Sequence, residues 1–267
     1  MSVTAATGLL QETIRIGPLP RSTPIRKIDD CDVTLAFLRS PDHMAEQSSD
    51  RIIQAFTSRW FVLLFGLPLT YAIVRYHVFG GVEWTYFPLF IANKAISLAA
   101  VVFIATSYLI GKIIRVYEDD PAHRLVLIKF CGLIGFSLAA IHAFMSLLLF
   151  TPAYYPKMFE EAGRLHLTGE LSMLFGVLSL WCLSITAITS LPFMYDAVGA
   201  DRWKRGQRMG YICLALAGGH VLVMGLAGWL KPGGWHGHLP PISLVAFIVV
   251  LVALLVKMLS GSGGKAR

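Results

Sequence analysis

Charged side chains are scarce in this chain. Asp, Glu, Lys and Arg make up 15% of its 267 residues, against roughly 25% in a soluble domain. That shortage excludes an ordinary water-soluble globule. Cysteine is scarce too: Cys31, Cys131, Cys182 and Cys213 are the four present. No two are spaced CxxC and three lie in apolar runs, so neither a zinc site nor a disulfide framework is expected; the thiols read as buried and inert. The first 50 residues lack a continuous apolar stretch and contain Pro18, Pro20, Pro24, Asp29, Asp30 and Asp32. No secretory leader is expected there. Few acids fall in the apolar runs and no paired broken helices are visible, which disfavours a transporter.

Apolar residues take the place of charge. They make up 55% of the chain, and runs of about 20 of them recur, the length a helix needs to cross the bilayer core. The expected fold class is all-α: a polytopic membrane protein, a six-helix bundle. Its spans are expected near 58–79, 86–113, 124–150, 168–192, 207–230 and 240–259. Residues 1–57 read as an N-terminal segment, mostly irregular, ending in the amphipathic lead-in SSDRIIQAFTSRW with Ser48, Ser49 or Asp50 as its cap. Residues 58–259 form the membrane domain and 260–267 a tail. No internal repeat is visible.

The net charge of +7 follows this topology and is no signal for nucleic acid. Arg and Lys cluster before the first span, in the second-to-third connection (Lys112, Arg115, Arg124, Lys129), in the fourth-to-fifth (Arg202, Lys204, Arg205, Arg208) and near the end (Lys257, Lys265, Arg267). The opposite side has only Arg75, Lys157, Arg164 and Lys231. The imbalance places both termini in the cytoplasm, with the chain in an inner or plasma membrane.

Two histidines lie inside spans: His142 in GLIGFSLAAIHAFMSLLLF and His220 in LALAGGHVLVMGLAGWL. An imidazole in hydrocarbon needs a partner. For one histidine an interhelical hydrogen bond suffices. The third and fifth spans run in the same direction, and these two positions lie roughly 27 and 20 Å along them at 1.5 Å per residue. Two imidazoles at similar depth can share one iron, which points to a haem held between helices. Ala139, Ala140, Ala143, Ala217, Gly218 and Gly219 leave room for a bulky group.

The helix sequences resemble the STEAP metalloreductases (six-transmembrane epithelial antigen of the prostate), within the wider ferric-reductase-like transmembrane superfamily. The resemblance covers roughly residues 86–259. It rests on IANKAISL, on GLIGFSLAAIHAFMSL, on Glu170, Gly176, Thr189, Ser190, Leu191 and Pro192 in the fourth span, on GYICLALAGGHVLVMG, and on the Pro-Pro start and late Lys257 of the sixth. It implies one b-type haem with His142 and His220 as axial ligands, a flavin (FAD or FMN) at the inner leaflet, and reduction of ferric or cupric chelates outside. Relatives with two stacked haems carry a second histidine about four turns away on each ligand helix; here those positions are Ile128 and Gly206. The family's nicotinamide-binding domain is not matched, because no GxGxxG follows a strand. A separate cytoplasmic flavin or NAD(P)H reductase, or a larger membrane complex, is then the expected electron source, and a homo-oligomer is compatible. Gln207 is one position off the family's glutamine, and Phe130 replaces another.

Other polar residues have two readings each. Lys94 lies about 10 Å below the outer edge; a haem propionate or Glu170 could pair with it, or its ammonium could snorkel. Arg124, Lys129, Trp203, Gln207 and Arg208 could hold a flavin by charge and stacking, or be ordinary inside charge. Lys157, Arg164, His166, Lys231, His236 and His238 could ring an outer acceptor site, with the His-Gly-His run binding metal, or be solvated loop residues. Tyr154, Tyr155 and Trp235 fit an interface belt, and Trp181 reads as helix packing. The chain thus reads as a membrane haem electron-transfer protein. The competing readings are a haem-bearing subunit of a quinone-linked respiratory complex and an accessory subunit without turnover.

Overall fold

The computed structural model describes residues 58–113, 121–160, 163–191 and 193–262. The N-terminal segment 1–57, its capped lead-in, Cys31 and the last five residues lie outside them. The side chain of Arg124 does too.

Among the described residues six helices are long and apolar enough to cross a membrane. The chain is a multi-pass, all-α membrane protein, as its hydropathy implies. We label the helices in order. α1 (Ser58–Val78) winds into a π-helix over Ile73–Val78. A turn at Gly81, whose φ of 66° suits glycine, leads through the short helical turns Trp84–Tyr86 and Phe87–Ile91 to α2 (Ala92–Ile113). α3 is Pro121–Leu148, with proline in the first turn where its missing N–H is tolerated. The next connection holds the turn Pro156–Met158 and an isolated bridge, Phe159 with Leu165. α4 is Leu167–Thr189. After a one-turn helix, Met194–Val198, come α5 (Ala200–Trp229) and α6 (Ile242–Ser262).

One boundary differs clearly from expectation. α5 begins at Ala200 rather than near residue 207. Hydropathy marks where apolar residues begin, but a helix continues into water wherever its backbone bonds are made. Arg202, Lys204 and Arg205 therefore sit on the helix and not in a loop.

The bundle is built from two helix pairs, α2 with α3 and α4 with α5, and α6 packs against both α2 and α5. α2 lies at the centre. Its Ala95, Leu98, Ala99, Ala100, Phe103, Ile104 and Ala105 are all buried. Four alanines in this run let neighbouring backbones approach closely. Cys131, Cys182 and Cys213 are buried free thiols, as expected. The outward faces carry exposed Leu174, Val177, Leu178 and Ile188 on α4 and Leu251, Val252 and Leu255 on α6. Such surfaces suit lipid. Trp181, read from sequence as helix packing, is 61% exposed and belongs to this outward face.

Candidate functional site

The two membrane histidines are both half-buried, His142 on α3 and His220 on α5. Their helices, α3 and α5, do not form one of the packed pairs. Each imidazole is held from the opposite side by its own helix partner. On α2, Asn93 Oδ1 lies 2.7 Å from His142 Nδ1. On α4, the Ser172 carbonyl lies 2.8 Å from His220 Nδ1.

These partners decide the tautomers. A carbonyl oxygen only accepts, so Nδ1 donates in both rings and Nε2 keeps its lone pair. This is the arrangement that orients a metal-ligating histidine. Asn93 is 3% exposed and its Nδ2 donates to Ser146 Oγ at 3.1 Å, so the amide is itself held in place. Ser146 and Ser172 hydroxyls also approach the two Nδ1 atoms, at 3.4 and 3.1 Å.

Glycines shape the surroundings. A Cβ on Gly176 would stand 3.2 Å from His220 Nδ1, so a side chain there would push the ring. At Gly219 an added Cβ would make only ordinary contact with the Phe175 ring, at 3.4 Å. Two Nε2 lone pairs on helices that are not one of the main packed pairs, with glycine beside one ring, fit a flat metal-bearing group that both imidazoles could ligate.

Lys94 follows Asn93 on α2 and turns to a different face. Its Nζ lies 4.2 Å from the Phe90 centroid and 5.3 Å from that of Tyr76. Glu170, the other anion considered for it, is exposed in the first turn of α4.

The residues read as flavin contacts separate into two sets. Trp203 Nε1 donates to the Thr189 carbonyl at 2.8 Å, and its ring meets Tyr195 edge-on. Gln207 Nε2 donates to Thr189 Oγ1 and Ser190 Oγ, each at 3.1 Å. Both side chains bind the end of α4 to the start of α5. Lys129 and Arg208 are exposed. This end of the bundle offers exposed cations and helix-joining hydrogen bonds.

The residues read as an outer acceptor ring, Lys157, Arg164, His166, Lys231, His236 and His238, are all exposed. His166 caps α4, accepting from the Thr168 N–H at 3.3 Å. His236–His238 forms a single helical turn, with φ of 57° at both Gly237 and His238, and the His236 ring meets Tyr76 edge-on. Among the described residues no group of three or more His, Cys, Asp or Glu could hold a metal ion. Tyr154 is exposed, Tyr155 half-buried, and Trp235 Nε1 donates to the Gly228 carbonyl at 3.0 Å.

Sequence reading placed none of Asn93, Ser146, Ser172 and Arg75 in the site. Asn93 carried a signal, since a buried amide in a span needs a partner as much as a histidine does. Ser172 acts mainly through its backbone carbonyl, which no residue type announces.

The fold defines an all-helical, multi-pass membrane protein, with His142 and His220 each hydrogen-bonded through Nδ1 to a neighbouring helix. No family model matches the chain. It is similar to metalloreductase STEAP2 of Mus musculus and of Homo sapiens, 25% identical over 202 residues to each. The match covers 64% of this chain and 40% of each relative, so the chain spans about two-fifths of the length of the curated relatives it matches.

Proposed function

We propose that this protein is a transmembrane b-type haem electron-transfer protein of the STEAP-like kind. It takes electrons from a flavin-bearing reductase on the cytoplasmic side and delivers them to an acceptor outside, such as a ferric or cupric chelate. The observation that carries the reading is the pair of imidazoles, each bound through Nδ1 and, among the described residues, without a partner at Nε2, on two helices that do not form one of the main packed pairs. The similarity to a metalloreductase supports it.

His142 and His220 would hold the haem iron. Bound haem supplies one-electron redox chemistry, and the protein supplies position and field. Asn93 and the Ser172 carbonyl fix both rings in the ligating tautomer and raise their basicity. The apolar outward faces of the helices keep water from the ligands. Lys129 and Arg208 remain for the flavin pyrophosphate or for docking the donor. Trp203 and Gln207 stabilise the α4–α5 joint. With the cation-rich side inward, both termini are cytoplasmic and Lys157, Arg164, Lys231, His236 and His238 flank the outer acceptor.

A reduced-minus-oxidised spectrum of the purified protein, with haem and flavin quantified per chain, tests the reading. One low-spin haem per chain is expected, lost in His142→Ala and in His220→Ala. Absence of a Soret band, or haem retained by both variants, overturns it. Reduction by quinol without added flavin would move the protein to a quinone-linked complex instead.

A further inference from the structure

Two cations share one aromatic ring where the end of α1 meets the start of α2. The Arg75 guanidinium carbon stands 5.4 Å from the Tyr76 centroid, and Lys94 Nζ stands 5.3 Å from the same centroid. Arg75 is 4% exposed. One of its terminal nitrogens donates to the Leu239 carbonyl, while its Nε is buried without a hydrogen-bond partner among the described residues. The field of Arg75 reaches Lys94, so the two charges repel. Ring faces attract cations only modestly. They do not offset the removal of two like charges from water, for which a paired anion is the usual remedy.

The position says which anion. The field of Lys94 reaches His142, and the residue before it, Asn93, is hydrogen-bonded to that imidazole. The cation pair therefore borders the histidine site on its α1 side. We propose that Arg75 and Lys94 form a single anion site, and that its occupant is the carboxylate edge of the bound haem. The proposal rests on the haem reading above and extends it to Arg75, a residue before the stretch that resembles the STEAP family. A ferric chelate such as citrate offers the same carboxylates. The propionate is taken as the occupant because the pair borders the histidine site through Asn93 and Lys94, and the haem-loss test separates the two sources.

The test measures haem loss from the full-length purified protein to an apo-globin scavenger. The protein is loaded in parallel with protohaem and with its dimethyl ester, whose propionates carry no charge. Arg75→Met and Lys94→Met are each expected to speed loss of protohaem roughly tenfold or more, the size of a lost charge-assisted hydrogen bond. Neither should speed loss of the ester further, because the interaction is already absent. Arg75→Lys, which keeps the charge, should hold protohaem better than Arg75→Met. Equal acceleration with both haems would overturn the proposal by showing a packing effect. Unchanged haem loss with a raised KM for ferric citrate would overturn it in favour of the chelate. Wild-type protein that takes up neither haem would instead refute the haem reading itself, before any variant is compared.

Discussion

Asn93 and His142 are joined across two helices: Asn93 Oδ1 on α2 accepts from His142 Nδ1 on α3 at 2.7 Å. The partner of His220 is a backbone carbonyl, so mutation can remove one of the two orienting bonds and not the other. Asn93→Ala is expected to weaken haem binding about 10–100-fold, the usual loss when such a partner is removed. Asn93→Asp should keep the haem and lower its midpoint potential, because a carboxylate makes the imidazole a stronger donor. Haem per chain and a redox titration check both. An unchanged midpoint in the aspartate variant would count against the bond.

Gly176 bears on the other ring. Its Cβ would lie 3.2 Å from His220 Nδ1, a distance the ring can relieve by a small shift. Gly176→Ala should therefore retain haem with an altered spectrum. Gly176→Val adds two methyl groups at the same point and should lose it, with helix content by circular dichroism unchanged. Full haem occupancy in the valine variant would show that Gly176 does not shape the site.

Tyr108 and Gly210 make a close contact between α2 and α5. A Cβ at position 210 would overlap the Tyr108 hydroxyl, which donates to the Gln207 carbonyl at 3.2 Å. The Tyr108 ring also packs on Tyr211, with centroids 4.6 Å apart. Overpacking of this kind costs about 1–3 kcal/mol. Gly210→Ala should lower the thermal midpoint in detergent, and the same change made on Tyr108→Ala should cost much less. Additive losses would place the strain elsewhere.

Tyr155 gives a pH dependence outside the membrane spans. Burial pushes its phenol above the ordinary value of 10.0, while hydrogen bonding to Ser146 and Asn93 pulls the other way. The unfolded chain loses this proton near pH 10, and the folded chain holds it to higher pH. In that window the unfolded state binds fewer protons, so stability falls as pH rises. Thermal midpoints should fall between pH 9 and 11 in the wild type and fall less in Tyr155→Phe. Parallel curves would show that the phenol does not titrate differently on folding.

Local chemistry accounts for what was legible in the sequence. Six apolar runs become six helices because hydropathy and length are properties of each segment alone. His142 and His220 stood out because a polar ring is rare in such runs. Trp203 and Gln207 drew a flavin reading for the same local reason, since an aromatic and an amide among cations resemble a flavin site; packing adds that both are bonded to the end of α4. α5 began early because helix continuation past the apolar run is a matter of backbone bonds, which hydropathy does not register.

The sequence by itself determined the all-helical membrane class and the two histidines that carry the functional reading. Tertiary structure decided which neighbours those histidines meet. It set Asn93 and the Ser172 carbonyl behind the rings, paired α3 with α2 and α5 with α4, and put Arg75 beside Lys94 around Tyr76. The physical reason is range: transfer to hydrocarbon acts residue by residue along the chain, whereas a hydrogen bond or a charge pair exists only where two separate helices are brought within a few ångströms.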